Sequence, residues 1–336
     1  MTGLTAASKI LGTGHYVPPT VVTNADLAKR FDTSDEWIQQ RSGIKERRYS
    51  TEEDPTSVMG AKALRAACAD AGIDVAEIDC IVLGTLSPDY DFPGSAVLVQ
   101  DLLGLNGIAC IDVRNQCTGF LYSLAIADSF VRAGMFKRVA VIGSEVHSTG
   151  IDFSDEGRDV TVLFGDGAAA AVVGPTDDPN VGMLTHCLHA DGSGAQQLWI
   201  PNPGSRNFPH RAPQTMYADR SVYPQMNGRA VFKWACTKLP EVINEALEKT
   251  GYTLDDIDLL VPHQANRRIN EMVAKQLGFP QDKVVHNIEM YGNTTAASVG
   301  IALDEARRDG RIVAGSLVCL AAFGSGFTWA ATIVRF

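Results

Sequence analysis

Short runs of valine, isoleucine and leucine alternate along the chain with alanine-rich segments, separated by glycine and polar clusters. Apolar runs of this length predict strands buried on both faces, and the alanine-rich segments predict helices packed against a sheet. The pattern then repeats. In the first half EIDCIVLG is followed by LVQDLLGL, IACIDVRNQCTGFLYSLAIADSFVRAG and KRVAVIGSE. In the second half DIDLLVPHQ is followed by MVAKQLGF, VVHNIEMYGNTTAASVGIALDEARRDG and GSLVCLAAFGSG. Cys117 and Asn293 each open a predicted helical segment whose closing glycine, Gly134 or Gly310, lies 17 residues on, and Asp128 and Asp304 fall at the same offset of 11. FGDGAAAAVVG after the first unit is echoed by FGSGFTWAATIV after the second. Shared element order with gap-free offsets predicts a duplication rather than chance similarity.

Each unit reads as strand, helix, strand, helix, strand, so the expected architecture is a duplicated α/β fold of layered helices and sheets. The halves are expected at residues 1–180 and 181–336. Residues 192–228 have no counterpart in the first half. That stretch (GSGAQQLWIPNPGSRNFPHRAPQ and beyond) is rich in proline, glycine and polar residues and predicts a long loop over the surface or the site.

Composition narrows the class. The 336 residues are 45% hydrophobic and 20% charged, the balance of a chain that buries a core rather than staying disordered. A formal net charge of −10 disfavours nonspecific nucleic-acid binding, and an acidic partner would need a local basic patch. No apolar run approaches the roughly 20 residues that span a bilayer. The start, MTGLTAASKILGTGHYVPP, lacks a basic region followed by an apolar stretch, so no signal peptide is read there. Seven cysteines without a C-x-x-C pair, with Cys80 and Cys319 in strand-like runs and Cys68 in a helical stretch, predict buried thiols in a reducing, cytoplasmic compartment.

The repeat directs attention to its two mirrored positions. A cysteine at a helix start gains from unpaired N–H groups and the helix dipole, which favour thiolate. An asparagine at the equivalent point suits hydrogen-bond donation across a pseudo-twofold axis. His263 closes the predicted strand DLLVPHQ, at the end where an open α/β sheet presents its chemistry. A thiol, an imidazole and an amide at such positions support nucleophilic catalysis. Taken singly, Cys117 could be a small core residue, His263 a structural histidine and Asn293 a helix cap. The mirror relation is what separates them from those roles. His186 and His189 bracket Cys187 in a strand-like run with no second ligand cluster, so no metal site is read there. GTG around Gly12 is too short and wrongly continued for dinucleotide binding.

With these residues in hand, the chain closely resembles β-ketoacyl-(acyl-carrier-protein) synthase III, a family of thiolase-fold condensing enzymes. The matching stretches run from ILGTGHYVP to FTWAATIVRF and include TSDEWIQQRSGI, QCTGF, FGDGAA, HADGSG, VPHQANRRI, YGNTTAASV and AFGSGFTWA. The resemblance implies a thiolase-like fold of duplicated αβαβα layered halves about a pseudo-twofold axis. It implies an acyltransferase that joins an acyl-CoA primer to malonyl-(acyl-carrier-protein) by decarboxylative Claisen condensation, giving a 3-oxoacyl product and initiating fatty-acid or related synthesis. Cys117, His263 and Asn293 would be catalytic, with the backbone N–H groups of Cys117 and Ser325 as oxyanion hole. Trp37, Arg41 and Arg158 match CoA contacts, for which stacking and cation–π attraction suit them, and Arg229 lies beside the CoA channel. Phe92 matches a residue that closes the acyl pocket of the neighbouring subunit. Lys233, Arg268 and Lys275 match basic positions that meet the acyl carrier protein, and Arg268 and Lys275, seven apart, are expected on one helical face. The family implies a homodimer and no cofactor or metal beyond the two thioester substrates.

Some positions depart from the family pattern. RNQ in DVRNQCTGF sets Arg114 and Gln116 next to the site region, Thr118 stands where alanine is common, Ser325 where glycine is, and Arg229 where asparagine is. With the long 192–228 segment, these departures point to a primer other than acetyl, such as a longer acyl chain. Three other readings use the same residues. A thiol hydrolase would release free acid, and a related acyltransferase would pass the acyl group to an alcohol or amine. A noncatalytic scaffold would need all three reactive residues to be coincidental.

Overall fold

The computed structural model describes residues 7–336; the first six residues, and with them part of the reading of the chain's start, lie outside the described residues. In chain order the elements of the first part are β1 (Ala7–Tyr16), β2 (Thr20–Thr23), α1 (Asn24–Leu27), α2 (Asp35–Ser42), β3 (Glu46–Tyr49), α3 (Thr56–Ala71) and β4 (Cys80–Gly84). They continue with α4 (Ser95–Leu102), β5 (Ala109–Val113), α5 (Gly119–Arg132), β6 (Val139–Glu145), α6 (Arg158–Thr161) and β7 (Gly167–Thr176). The second part holds β8 (Gly182–Ala190), β9 (Leu198–Trp199), β10 (Gln225–Met226), α7 (Gly228–Thr250), β11 (Leu259–Pro262) and α8 (Arg267–Leu277). It ends with α9 (Ile288–Tyr291), α10 (Ala297–Arg308), β12 (Leu317–Gly324) and β13 (Thr328–Arg335).

Five strands form one sheet in the order β1-β7-β6-β4-β5, and four form another in the order β8-β13-β12-β11. The two orders coincide, and so do the directions. β4 runs parallel to β6 as β11 does to β12, whereas β6–β7, β1–β7, β12–β13 and β13–β8 are antiparallel. In the second sheet the place of β5 is taken by a single parallel bridge between Leu260 and Val284.

α5 and α10 lie between the sheets. One core cluster joins Leu121, Leu124 and Val131 of α5 and Val299 and Leu303 of α10 to Val82 and Val141 of the first sheet and Val261 and Leu320 of the second. α3 and α4 cover the outer face of the first sheet, with Met59, Leu64 and Val99 against Ile81, Leu83 and Ile142. α7 and α8 cover the second, with Leu239, Ile243 and Val273 against Leu260, Cys319 and Ala331. The result is five layers, αβαβα. Each fully buried leucine or valine contributes about 1.5–3 kcal/mol, so helices sandwiched between two sheets carry apolar residues around most of their circumference.

The exceptions on those central helices repeat as well. Buried carboxylates must be paired. Asp128 accepts from Ser8 Oγ at 2.5 Å and Arg132 Nε at 2.7 Å, with His186 Nε2 3.5 Å away. Asp304 accepts from Thr13 Oγ1 and Arg308 Nε, both at 2.7 Å, and lies 2.6 Å from His15 Nδ1. Each aspartate thus holds the arginine four residues on and a histidine from the first strand of the opposite half, β8 or β1.

The GTG of β1 is a packing device. A Cβ on Gly12 would strike the backbone of Ala71, and one on Gly14 that of Ala67, because α3 lies directly on the strand. Beside the layers, the antiparallel β2–β3 pair, with α1 and α2 in the connection between its strands, makes a small lobe cored by Leu27, Phe31, Ile38 and Ile44. The 192–228 segment is less irregular than expected. It starts with a 3-10 turn (Gly192–Gln197) and closes on the β9–β10 ribbon, which pairs Leu198 with Met226. Residues 200–224 between them form a strap of turns and bends, tied back by Arg211 to Asp91 and by Arg220 to Glu156. Among the described residues no helix is long and apolar enough to cross a membrane.

Candidate active site

The two mirrored positions are built differently from the expected helix starts. Cys117 sits in a 3-10 turn, Gln116–Thr118, just before α5 begins at Gly119. Asn293 stands four residues ahead of α10, in an extended bridge to Phe164. Its N–H donates to Leu163 O at 2.8 Å and its carbonyl accepts from Gly165 N–H at 3.1 Å, so the first half holds its backbone out of the helix. The turn between Asn293 and α10 places Thr295 at φ 47°, rare for a β-branched residue, and Gln116 ahead of Cys117 has φ 43°.

Cys117, His263 and Asn293 line one cavity with Phe164, Leu198, Phe232 and Gly324. Gly324 makes the close approach possible, since a Cβ there would lie 2.6 Å from Cys117 Sγ. His263 follows β11, and its N–H donates to Ala321 O at 2.8 Å. Gln264 and Asn266 of the HQAN motif brace the turn that follows β11. Gln264 Nε2 donates to Pro262 O at 2.8 Å and Val285 O at 3.0 Å while its Oε1 accepts from Asn287 N–H. Asn266 caps α8 by accepting from Arg268 N–H at 3.0 Å.

Protonation differs from the sequence expectation at the thiol. Burial, and then the nearby Glu145, push Cys117 up to about 12, against the pull of the Ser325 and Cys117 backbone N–H groups. The expected thiolate-favouring helix start is therefore corrected: desolvation outweighs the N–H groups in the free enzyme. Burial pushes His263 down to about 3, so the imidazole is neutral. Its Nδ1 lies 2.5 Å from Ser298 Oγ, and its buried Nε2 has no partner in the protein. Asn293 Oδ1 accepts from Thr295 N–H at 2.9 Å, which fixes the amide with its Nδ2 hydrogens free.

Several neighbours were invisible to sequence reasoning. Glu145, at the end of β6, is fully buried without a cation. It accepts from Leu86 N–H, Ser87 Oγ and Thr85 Oγ1, and across the halves from Ala296 N–H at 3.3 Å. Burial pushes it up to about 7. His147 stacks on Phe164 at 4.4 Å and lies 2.7 Å from Thr295 Oγ1. Asp166 of FGDG gathers the N–H groups of Ser50, His147 and Ser148. The one local signal was charge at the end of an apolar run, VAVIGSE.

The remaining predicted residues fall into groups. Trp37, Arg41, Arg229 and Arg268 line a depression that shares Met226, Gly228, Phe232 and Asn266 with the Cys117 cavity. The Arg41 and Arg158 guanidiniums stand over the Trp37 ring at 4.4 and 4.8 Å. Ser325 Oγ donates to Leu198 O at 2.5 Å. Lys233, Arg268 and Lys275 are exposed. Arg268 stands over Phe232 at the depression lined by Trp37, whereas Lys275 borders a separate depression with Arg267 and Glu271. Phe92 is 82% exposed and does not line the cavity of its own chain. Arg114 is exposed and Gln116 half-buried, and neither lines that cavity. His186 and His189 serve Asp128 and, at 2.5 Å, Glu245.

Layers, strand order and a cysteine facing a histidine and an asparagine define a thiolase-like condensing enzyme. Residues 111–192 match the family model of 3-oxoacyl-[acyl-carrier-protein] synthase III, and residues 247–336 match the model of its C-terminal part. The β-ketoacyl-[acyl-carrier-protein] synthase III of Caldanaerobacter subterraneus subsp. tengcongensis is 45% identical over 329 residues, covering 98% of both chains. The crystal structure of 3-oxoacyl-[acyl-carrier-protein] synthase III from Aquifex aeolicus VF5 is 42% identical, with a TM-score of 0.89 over 98% of this chain and 100% of that one. The priming β-ketosynthase of the R1128 polyketide pathway is 35% identical, with a TM-score of 0.89 over 98% and 96%. The chain belongs to the β-ketoacyl-(acyl-carrier-protein) synthase III family.

Proposed function

We propose that the protein condenses an acyl-CoA primer with malonyl-(acyl-carrier-protein), with Cys117 as nucleophile and His263 and Asn293 as hydrogen-bond donors. The observation that carries this reading is the single cavity lined by all three residues, in which the His263 Nε2 is buried without a protein partner. Cys117 Sγ attacks the acyl-CoA carbonyl, and the N–H groups of Cys117 and Ser325 stabilise the oxyanion. The C–S bond to CoA breaks, and the thiol proton leaves on the CoA sulfur. Malonyl thioester then loses carbon dioxide, and its electron pair passes into an enolate whose oxygen accepts from His263 Nε2–H and Asn293 Nδ2–H. The enolate carbon attacks the acyl carbonyl. A 3-oxoacyl thioester forms, Cys117 departs as thiolate, and solvent reprotonates it.

CoA would lie along Trp37, Arg41, Arg158 and Arg229, with its adenine stacked at Trp37. The exposed cations Lys233, Arg268 and Lys275 suit an acidic carrier protein on a chain that is otherwise net negative. A second copy would bring Phe92 to the acyl pocket. The reaction needs no cofactor beyond its two thioesters, and the seven free cysteines suit a cytoplasmic enzyme.

Mass spectrometry of the intact protein after exposure to acetyl-, butyryl- and octanoyl-CoA tests this. The expected result is one acyl adduct on Cys117, lost in Cys117→Ala, and discharge as a 3-oxoacyl thioester on addition of malonyl-(acyl-carrier-protein). A preference for butyryl or octanoyl would bear out the longer primer; a strong acetyl preference would refute it. Release of free acid instead of a condensation product would overturn the reading.

A further inference from the structure

We infer that Ser298 is a positioning residue that sets the tautomer of His263, leaving the proton on Nε2 where it faces the cavity. The inference rests on the proposed role of His263 as donor to the enolate.

The direction of one hydrogen bond carries the argument. Ser298, on the first turn of α10, is 2% exposed, and its Oγ lies 2.5 Å from His263 Nδ1. The same oxygen accepts a long bond of 3.4 Å from Gln264 N–H. If Nδ1 carried the imidazole proton, Ser298 Oγ would accept from both Nδ1–H and the Gln264 N–H. Its own hydrogen would then be buried with no acceptor, at the cost of an unmade hydrogen bond. With Nδ1 bare, the hydroxyl donates to it and both bonds are satisfied. The one proton of the neutral ring then sits on Nε2, the buried nitrogen that no protein group engages. His147 does not compete for this task, because its Nε2 is engaged by Thr295 Oγ1 at 2.7 Å.

Ser298 is also placed to register the two donors with each other. Asn293 lies five residues upstream, and its Oδ1 is held by Thr295 N–H at 2.9 Å. One short segment, 293–298, therefore orients the amide directly and the imidazole through its hydroxyl. A hydroxyl on α10 reaching across to the turn after β11 fixes the ring in rotation as well as in protonation.

The test separates the two half-reactions. In Ser298→Ala, malonyl-thioester decarboxylation is expected to fall by about 10- to 100-fold, the scale of a misdirected donor. Acyl loading of Cys117, read by intact mass, should fall far less and reports that the site is folded. Ser298→Thr, which keeps the hydroxyl, should recover most of the decarboxylation. Ring nitrogen NMR of labelled His263 should show the proton on Nε2 in the unmodified protein and a mixture of tautomers in Ser298→Ala. Decarboxylation at the normal rate in Ser298→Ala, while His263→Ala is slow, would overturn the inference, as would a proton found on Nδ1. Normal decarboxylation in His263→Ala would remove the donor role of His263 itself, a separate failure that takes the inference with it.

Discussion

At the residue scale the thiol of Cys117 faces opposing influences. Burial and the Glu145 carboxylate favour the protonated form, and two backbone N–H groups favour the anion. With the thiol raised to about 12, Cys117 is protonated at neutral pH, and in the proposed reaction its attack would be coupled to departure of a leaving group that takes the proton. Alkylation of Cys117 by iodoacetamide, followed by mass spectrometry, is therefore expected to keep rising from pH 7 to 10 without a plateau. Glu145→Gln removes one of the two raising influences, so alkylation at pH 9 should quicken by about three- to tenfold. An unchanged rate would leave burial alone in control. Cys117, His263 and Asn293 were legible in the sequence because the repeat marks two of them and a strand end marks the third. Glu145, His147 and Ser298 were not, since a buried carboxylate and an orienting hydroxyl have meaning only through neighbours more than 30 residues away.

At the scale of elements, strands and helices were legible wherever both faces are buried, because continuous apolar runs and alanine-rich segments follow directly from sandwiching. The helix start near Asn293 was not, since a cross-half bridge to Phe164 overrides the local helical pattern. The repeated aspartates show how α5 and α10 are held. Burial alone would raise Asp304, but hydrogen bonds from His15, Arg308 and Thr13 hold it down to about 2. A carboxylate with a folded value below its unfolded one, about 4, adds stability above pH 4, and that stability is lost as pH falls toward 2. Asp304→Asn is expected to cost about 2 kcal/mol at pH 7, because it removes the buried charge that accepts from Thr13 and Arg308. The deficit should shrink as pH drops from about 4 to 2. Urea melts at pH 7 and pH 3 check this; an equal loss at both would assign the effect to packing rather than charge.

For the whole molecule, the half-exposed edge strand β5 and the Phe92 loop share one side of the first sheet. Phe92 and Tyr90 there are 82% and 61% exposed, an aromatic pair suited to burial against a second copy. Sedimentation at micromolar concentration is expected to give twice the chain mass. Phe92→Ala should remain a dimer but shift primer preference by about tenfold or more toward longer or branched acyl-CoA, a pocket effect of the size expected for lost side-chain bulk. A monomeric parent protein would refute the shared pocket.

The sequence by itself determined the duplication and the layered α/β class, and it singled out Cys117, His263 and Asn293, which line one cavity. Hydrophobic period and repeat register are properties of neighbours along the chain, and they survive without coordinates. The tertiary structure alone decided that desolvation keeps the thiol protonated and that Asn293 is held out of its helix by the other half. It also decided that the Ser298 hydroxyl of α10 stands against His263 Nδ1 while Nε2 is left without a protein partner. Each of these depends on groups brought together from distant segments, where burial changes the cost of a charge and hydrogen-bond partners fix where a proton resides.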